Sequence, residues 1–207
     1  VMAKEGRERA FRLTSITLTM LVLVVGAITA LGIAVSPALV KIMAPEFASD
    51  PAKFEVTVSM TRIMFPFLLV ISLAAMVMGV LNSLGEFFIP AVAPVFLNIA
   101  MIVAGFTLCP FFETLGRRPI EGMAVGAMLG GFLQLAAQWP ALRRAGFSFG
   151  WEFQPGDSGM KRIVALMLPG TIGLAATQVN VAISTMLATS QGDGAVSWLS
   201  YAFRLMQ

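Results

Sequence analysis

One stretch limits the fold more than any other. Thr61 to Met101 reads TRIMFPFLLVISLAAMVMGVLNSLGEFFIPAVAPVFLNIAM, and between Arg62 and Glu86 it carries 23 residues without a charge. At the rise of an α-helix that run is about 34 Å long, enough to cross the hydrocarbon of a bilayer. Only Glu86 interrupts before a second uncharged run, Phe87 to Phe112. Two membrane-length segments joined by so short a link are expected to be antiparallel neighbours. The pattern repeats along the chain, with further uncharged runs at Leu13 to Val40, Gly122 to Leu142 and Ile163 to Ser190. Charged residues make up 12% of the chain, against about 25% in soluble domains. The expected fold class is therefore an all-α integral membrane protein with five complete transmembrane helices and the start of a sixth near Ala195.

Local features sharpen this reading. In the central stretch Ser72, Ala75, Gly79 and Ser83 form a stripe of small side chains. Small residues let helix backbones approach in lipid, where little hydrophobic drive exists between helices. Pro66 is expected in a first helical turn, where its missing N–H costs nothing. Pro90 and Pro94 open the next helix, and Asn98 is expected as a buried amide behind them. Gly26, Thr29, Gly32 and Ser36 line one face of the first span, which Pro37 should end or kink. Ser49 or Asp50 ahead of Pro51 is a plausible N-cap, so the second helix is expected to begin outside the lipid. In the fourth span Gly122, Gly126 and Gly130 repeat every four residues, and Gln134 and Gln138 continue the row. That row is expected to be a helix contact with amides bonding across it. "LPG" at 168–170 is expected to break the fifth span, and "QGDGA" reads as a tight turn.

Charge places the loops. Lys and Arg count eight in the lead-in, the second link and the Arg143–Arg162 loop, and five in the alternate loops. Positive residues favour the cytoplasmic side, which puts the N-terminus there. The net charge of +3 is not a nucleic-acid signal, because the basic residues stand at helix ends. The aromatic piece GFSFGWEFQPG is expected at the membrane interface. The Arg143–Arg162 loop is taken as the boundary between 1–155, part of an N-terminal lobe with four helices, and 156–207, the start of a C-terminal lobe. Both ends read as cut, although a start at Met2 with the first span acting as a signal anchor would also fit.

The chain has one cysteine and no histidine. Neither a His or Cys pair, nor clustered carboxylates inside a span, nor a phosphate loop is present, so no catalytic residue, metal site or cofactor is expected and the chain does not read as an enzyme. Two polar features inside spans stand out. Gly173, Thr177, Asn180 and Ser184 share one face, with Asn180 near mid-span. Polar groups at that depth face a partner or a water-filled cavity. Arg204 follows nine uncharged residues of the last apolar run, and Ser197, Tyr201 and Arg204 share a face. A charge so placed costs at least about 2.5 kcal/mol on insertion scales. Arg204, Asn180 and Tyr201 are the candidate substrate-binding residues.

Two pieces of the chain carry a resemblance. "TRIMFPFLLVISLAAMVMGVLNSLGEFFIPAVAPVFLNIAMI" resembles the corresponding segment of the MurJ (MviN) lipid II flippase family of bacteria, and "GAVSWLSYAFRLMQ" resembles a second segment of it, with Trp, Tyr and Arg in register. The resemblance implies part of a two-lobed, fourteen-helix transporter of the multidrug/oligosaccharidyl-lipid/polysaccharide exporter superfamily, from its third helix to the start of its eighth. It implies a multi-pass protein of the bacterial cytoplasmic (inner) membrane. The implied substrate is the undecaprenyl-pyrophosphate-linked peptidoglycan precursor, lipid II, with membrane lipids around it and no nucleic acid. It also implies further essential arginines in two helices not present here. Where family members often have an acid before the last arginine, this chain has Phe203. The alternative from the residues is a cation-coupled drug or small-solute antiporter, which should show acids inside its spans; the five complete spans have none.

Overall fold

The computed structural model describes residues 2–192 and 194–206, with the side chains of 2–5, 48 and 206 left aside. The elements in order are α1 (Met2–Met43), a 3-10 turn (Pro45–Ser49), α2 (Pro51–Ser83), α3 (Phe88–Thr114), α4 (Pro119–Arg144), α5 (Ser158–Thr189) and α6 (Ala195–Met206). Among the described residues there is no strand. Five of the helices, all but α6, are long and apolar enough to cross a membrane. Expectation and structure agree on this count.

Helix ends follow from local chemistry. Asp50 caps α2, its carboxylate accepting from the amides of Ala52 at 3.0 Å and Lys53 at 3.2 Å. At the other end Gly85 takes φ +84°, a conformation glycine reaches without a Cβ clash. There the amide of Glu86 donates to the carbonyl of Leu81 and that of Gly85 to Asn82, which satisfies carbonyls the helix would otherwise strand. The same cap closes α3 at Gly116 and α4 at Gly146.

Two proline expectations are corrected: Pro66 lies well inside α2 and not in its first turn, and Pro169 leaves α5 unbroken. Of the two outcomes expected at Pro37, ending the helix is excluded, since α1 runs on to Met43. A proline inside a helix costs about 3 kcal/mol. Breaking the helix in lipid would strand several backbone groups at several kcal/mol each, so continuity is the cheaper outcome.

The chain divides into two compact units, Val1–Ile33 with Met60–Met160, and Ala34–Ser59 with Lys161–Gln207. The first unit holds a core in which Leu18 of α1, Val77, Val80 and Leu81 of α2 and Leu142 of α4 close around Phe147. Phe147 follows the glycine cap of α4, and its amide donates to the carbonyl of Leu142. The cap thus turns the chain so that this ring enters the core, packed edge-on against Phe11 at 5.8 Å and Trp139 at 6.3 Å. The aromatic segment expected at the interface is therefore split: Phe147 is buried, while Trp151 and Phe153 are exposed.

Helices α3 and α4 pack along the glycine row, as expected. A Cβ at Gly126 would run into the Ala104 methyl, and one at Gly130 would stand 3.0 Å from the Leu97 Cα. Gly122 meets Leu108, so the two helices run antiparallel in close register. Thr29 and Gly32 likewise face α2. The Thr29 hydroxyl donates to the carbonyl of Phe65 at 3.5 Å, and the Phe65 ring fills the space a side chain on Gly32 would need.

Two other packing expectations are overturned. Among the described residues the small stripe on α2 meets no other helix: Ala75, Gly79 and Ser83 are exposed, and a Cβ on Gly79 would meet nothing within 4 Å. The buried side of α2 is the branched one, Val70, Ala74, Val77, Val80 and Leu81. Asn98 is exposed, because the face of α3 that meets α4 runs through Leu97, Ala100, Ala104 and Leu108, and Asn98 lies off it.

Candidate functional site

α6 starts at Ala195, so Arg204 comes about 14 Å along its axis. Val196, Leu199 and Phe203 are half-buried, while Ser197, Tyr201 and Arg204 are exposed, one polar face at spacings of four and three. Tyr201 is 64% exposed, which leaves its hydroxyl available to a ligand. Asn180 is exposed on α5, nine residues before that helix ends at Thr189. Arg204 stands nine residues after α6 begins. Both therefore lie at the same distance, about 14 Å of helix, from the intervening turn. Tyr201 sits one helical turn nearer to it. Among the described residues no hydrogen bond or ion pair ties Asn180, Tyr201 or Arg204 to a protein partner. Asp193, the acid nearest to Arg204 in the sequence, lies outside the described residues.

The glutamine row is buried, Gln134 at 4% and Gln138 at 0% exposure. The amides do not bond across to another helix. The Gln138 side-chain nitrogen donates to the backbone carbonyl of Gln134 in its own helix at 3.1 Å. Neither Oε1 has a donor among the described residues. The row packs where α4 meets its neighbours, with Gly131 against Phe67 and Val70 of α2.

A second polar cluster was missed by sequence reasoning. The lead-in is the helical start of α1, broken only at Gly6 (φ +83°), and its arginines hold the segment after α4. Arg7 donates to the carbonyl of Ala145 at 3.1 Å, Arg9 pairs with Asp157 at 2.6 Å, and Arg12 pairs with Glu152 at 2.8 Å. Asp157 also caps α5, accepting from the amides of Gly159 at 2.8 Å and Met160 at 3.3 Å. The hydrogen bond from Arg9 and these amides hold its carboxyl below the usual 3.8, against the opposing pull of burial. An acid immediately before a helix start was the available signal. These charges are engaged with one another, so they anchor the fold; Arg204 has no such partner among the described residues.

The family model described as "Lipid II flippase MurJ" matches residues 2–207. This chain belongs to the MurJ lipid II flippase family. It is similar to "Lipid II flippase MurJ" of Burkholderia cenocepacia, 34% identical over 99% of this chain and 40% of the relative. It is also similar to "Probable lipid II flippase MurJ" of Rhizobium tropici, 39% identical over 83% of the chain and 32% of the relative, and of Bdellovibrio bacteriovorus, 34% identical over 97% and 38%. The chain thus spans about 40% or less of the length of these MurJ relatives. A multi-pass membrane protein fits both the MurJ match and the five apolar helices.

Proposed function

We propose that this chain works as part of a lipid II flippase, moving the undecaprenyl-pyrophosphate-linked precursor from the cytoplasmic to the periplasmic face of the bacterial inner membrane. The observation that carries the reading is Arg204, an exposed cation with no hydrogen-bond or ion-pair partner among the described residues, about 14 Å into an apolar helix. Such a charge is retained against an insertion cost when it has a ligand to meet. Guanidinium suits phosphate oxygens because its planar fork donates two parallel hydrogen bonds. Tyr201, on the same face, and Asn180, at the same distance from the turn, would add neutral donors to the pyrophosphate or the sugar. The protein is then a transporter and not an enzyme, and its charge calls for no nucleic-acid partner.

Residues 1–155 and 156–207 would belong to separate lobes that rock around the substrate, giving alternating access. The rival antiporter reading is weaker, since a pump for cationic drugs would need acids within its spans, and the uncharged runs contain none. The test is complementation of a flippase-depleted strain by the full-length protein carrying Arg204→Ala or Arg204→Lys, with abundance measured by blot. The alanine variant should fail at normal abundance, and the lysine variant should retain part of the function. Full complementation by the alanine variant would remove Arg204 from transport.

A further inference from the structure

We propose that an apolar slot in the first unit, at the end of α4, holds one acyl chain of an anionic phospholipid. The slot measures about 160 Å³ and its lining includes Leu18, Val22, Leu135, Trp139, Phe149 and Trp151. Its walls are fixed before any ligand arrives. Trp139 is held edge-on against the buried Phe147 at 6.3 Å, and Phe149 against Trp151 at 5.4 Å. The segment that carries Phe149 and Trp151 is held by Phe149, which packs against the core, and by Glu152, which pairs with Arg12 at 2.8 Å while its amide donates to the Thr19 hydroxyl at 3.4 Å.

An apolar site of this volume accepts an apolar guest, here a few methylenes of the chain, the rest of which stays in the surrounding lipid. Left empty, the slot forfeits the dispersion contacts of its lining. The helices forming it are of membrane-spanning length, so the surrounding solvent is itself acyl chain. Charge selects the class of lipid. The Arg143 guanidinium lies 5.9 Å from the Trp139 ring centroid, and Arg144 follows it. Neither pairs with a carboxylate among the described residues. An apolar slot with the Arg143 cation beside its Trp139 wall matches an amphiphile whose headgroup is negative. The basic count assigns this end of α4 to the cytoplasmic leaflet, where such lipids lie. The slot shares no residue with the Arg204 face, so the inference is independent of the transport reading.

The experiment uses the full-length protein, delipidated in detergent and titrated with phosphatidylglycerol brominated along its acyl chain. The Trp139 contribution is the difference in emission between wild type and Trp139→Phe; Trp151→Phe gives a second, independent difference. Both contributions should be quenched saturably. Arg143→Gln should raise the half-saturating concentration about fivefold, the worth of one basic residue at an anionic surface. Val22→Phe and Leu135→Phe, which fill the slot from different helices, should abolish the saturable quenching while the protein elutes as a single species. Three results would overturn the proposal. One is no quenching at Trp139 or Trp151 while Trp198 is quenched, which would mean that another segment covers the slot. The second is equal quenching in both filled variants. The third is equal potency of brominated phosphatidylcholine, which would take charge out of the recognition.

Discussion

Replacing Gly122 with alanine tests the close approach of α3 and α4 with a single methyl. A Cβ there would stand 2.8 Å from the Cys109 amide nitrogen and the Leu108 carbonyl carbon, and 2.9 Å from the Leu108 oxygen. Comfortable carbon contacts lie at about 3.5–4.0 Å. The atoms in the way are backbone, so no side chain can swing aside and the helices must separate locally by somewhat less than 1 Å. Overpacking of this kind costs about 1–3 kcal/mol. Against it, alanine gains about 0.5–1 kcal/mol over glycine in a helix interior. The net expectation is a loss of about 1–2 kcal/mol. Gly105 supplies the control in the same interface: its Cβ would meet only the Met123 sulfur, at 3.7 Å, an ordinary contact. Gly105→Ala should therefore be neutral or stabilising by up to about 1 kcal/mol. Thermal denaturation of the full-length protein in detergent, followed by loss of the monodisperse peak, would rank the two. Gly122→Ala melting at or above both wild type and Gly105→Ala would refute the backbone-contact argument.

Further outcomes follow from other contacts. Gly126→Leu, whose side chain would enter the Ala104 position, should lower protein level and transport together; normal abundance with normal transport would show that the row does not hold helices. Asp157 has a lowered pKa in the fold, so its contribution is present above the ordinary carboxylate value and is lost as pH falls through the lower folded value. Melting temperature should drop on acidification below about pH 4, and Asp157→Asn should flatten part of that drop while weakening the start of α5 at neutral pH. A single cysteine at Ser148 in a Cys109-free background should resist an impermeant thiol reagent in intact cells, and labelling there would reverse the topology.

The number of spans, the limits of α3 and α4 to within a turn, the glycine seam of α4 and the cap at Asp50 were all legible in the sequence. Each depends on residues close together along the chain: an uncharged run, an i to i+4 repeat, an acid before a proline. The polar face of α6 was legible for the same reason, since Ser197, Tyr201 and Arg204 are one helix apart from nothing but themselves. What the sequence could not disclose is which of several equivalent faces meets a neighbour. α2 offered a small stripe and a branched stripe, and it buries the branched one, Val70 to Leu81, because Leu142 and Phe147 arrive there from more than 50 positions away. The hydroxyl-rich LTSITLTM of α1 looked like any apolar span, yet Leu13 to Met20 is buried all round. It can be so because Thr14 and Thr17 return their hydroxyls to carbonyls of their own helix and Thr19 receives the Glu152 amide. The arginines of the lead-in, counted in the sequence as topology signals, also clasp Glu152 and Asp157, which the sequence did not disclose. Local periodicity determines where helices form, because their hydrogen bonds close within four residues. Which side chains meet across them depends on contacts between distant segments, and only the tertiary structure decides those.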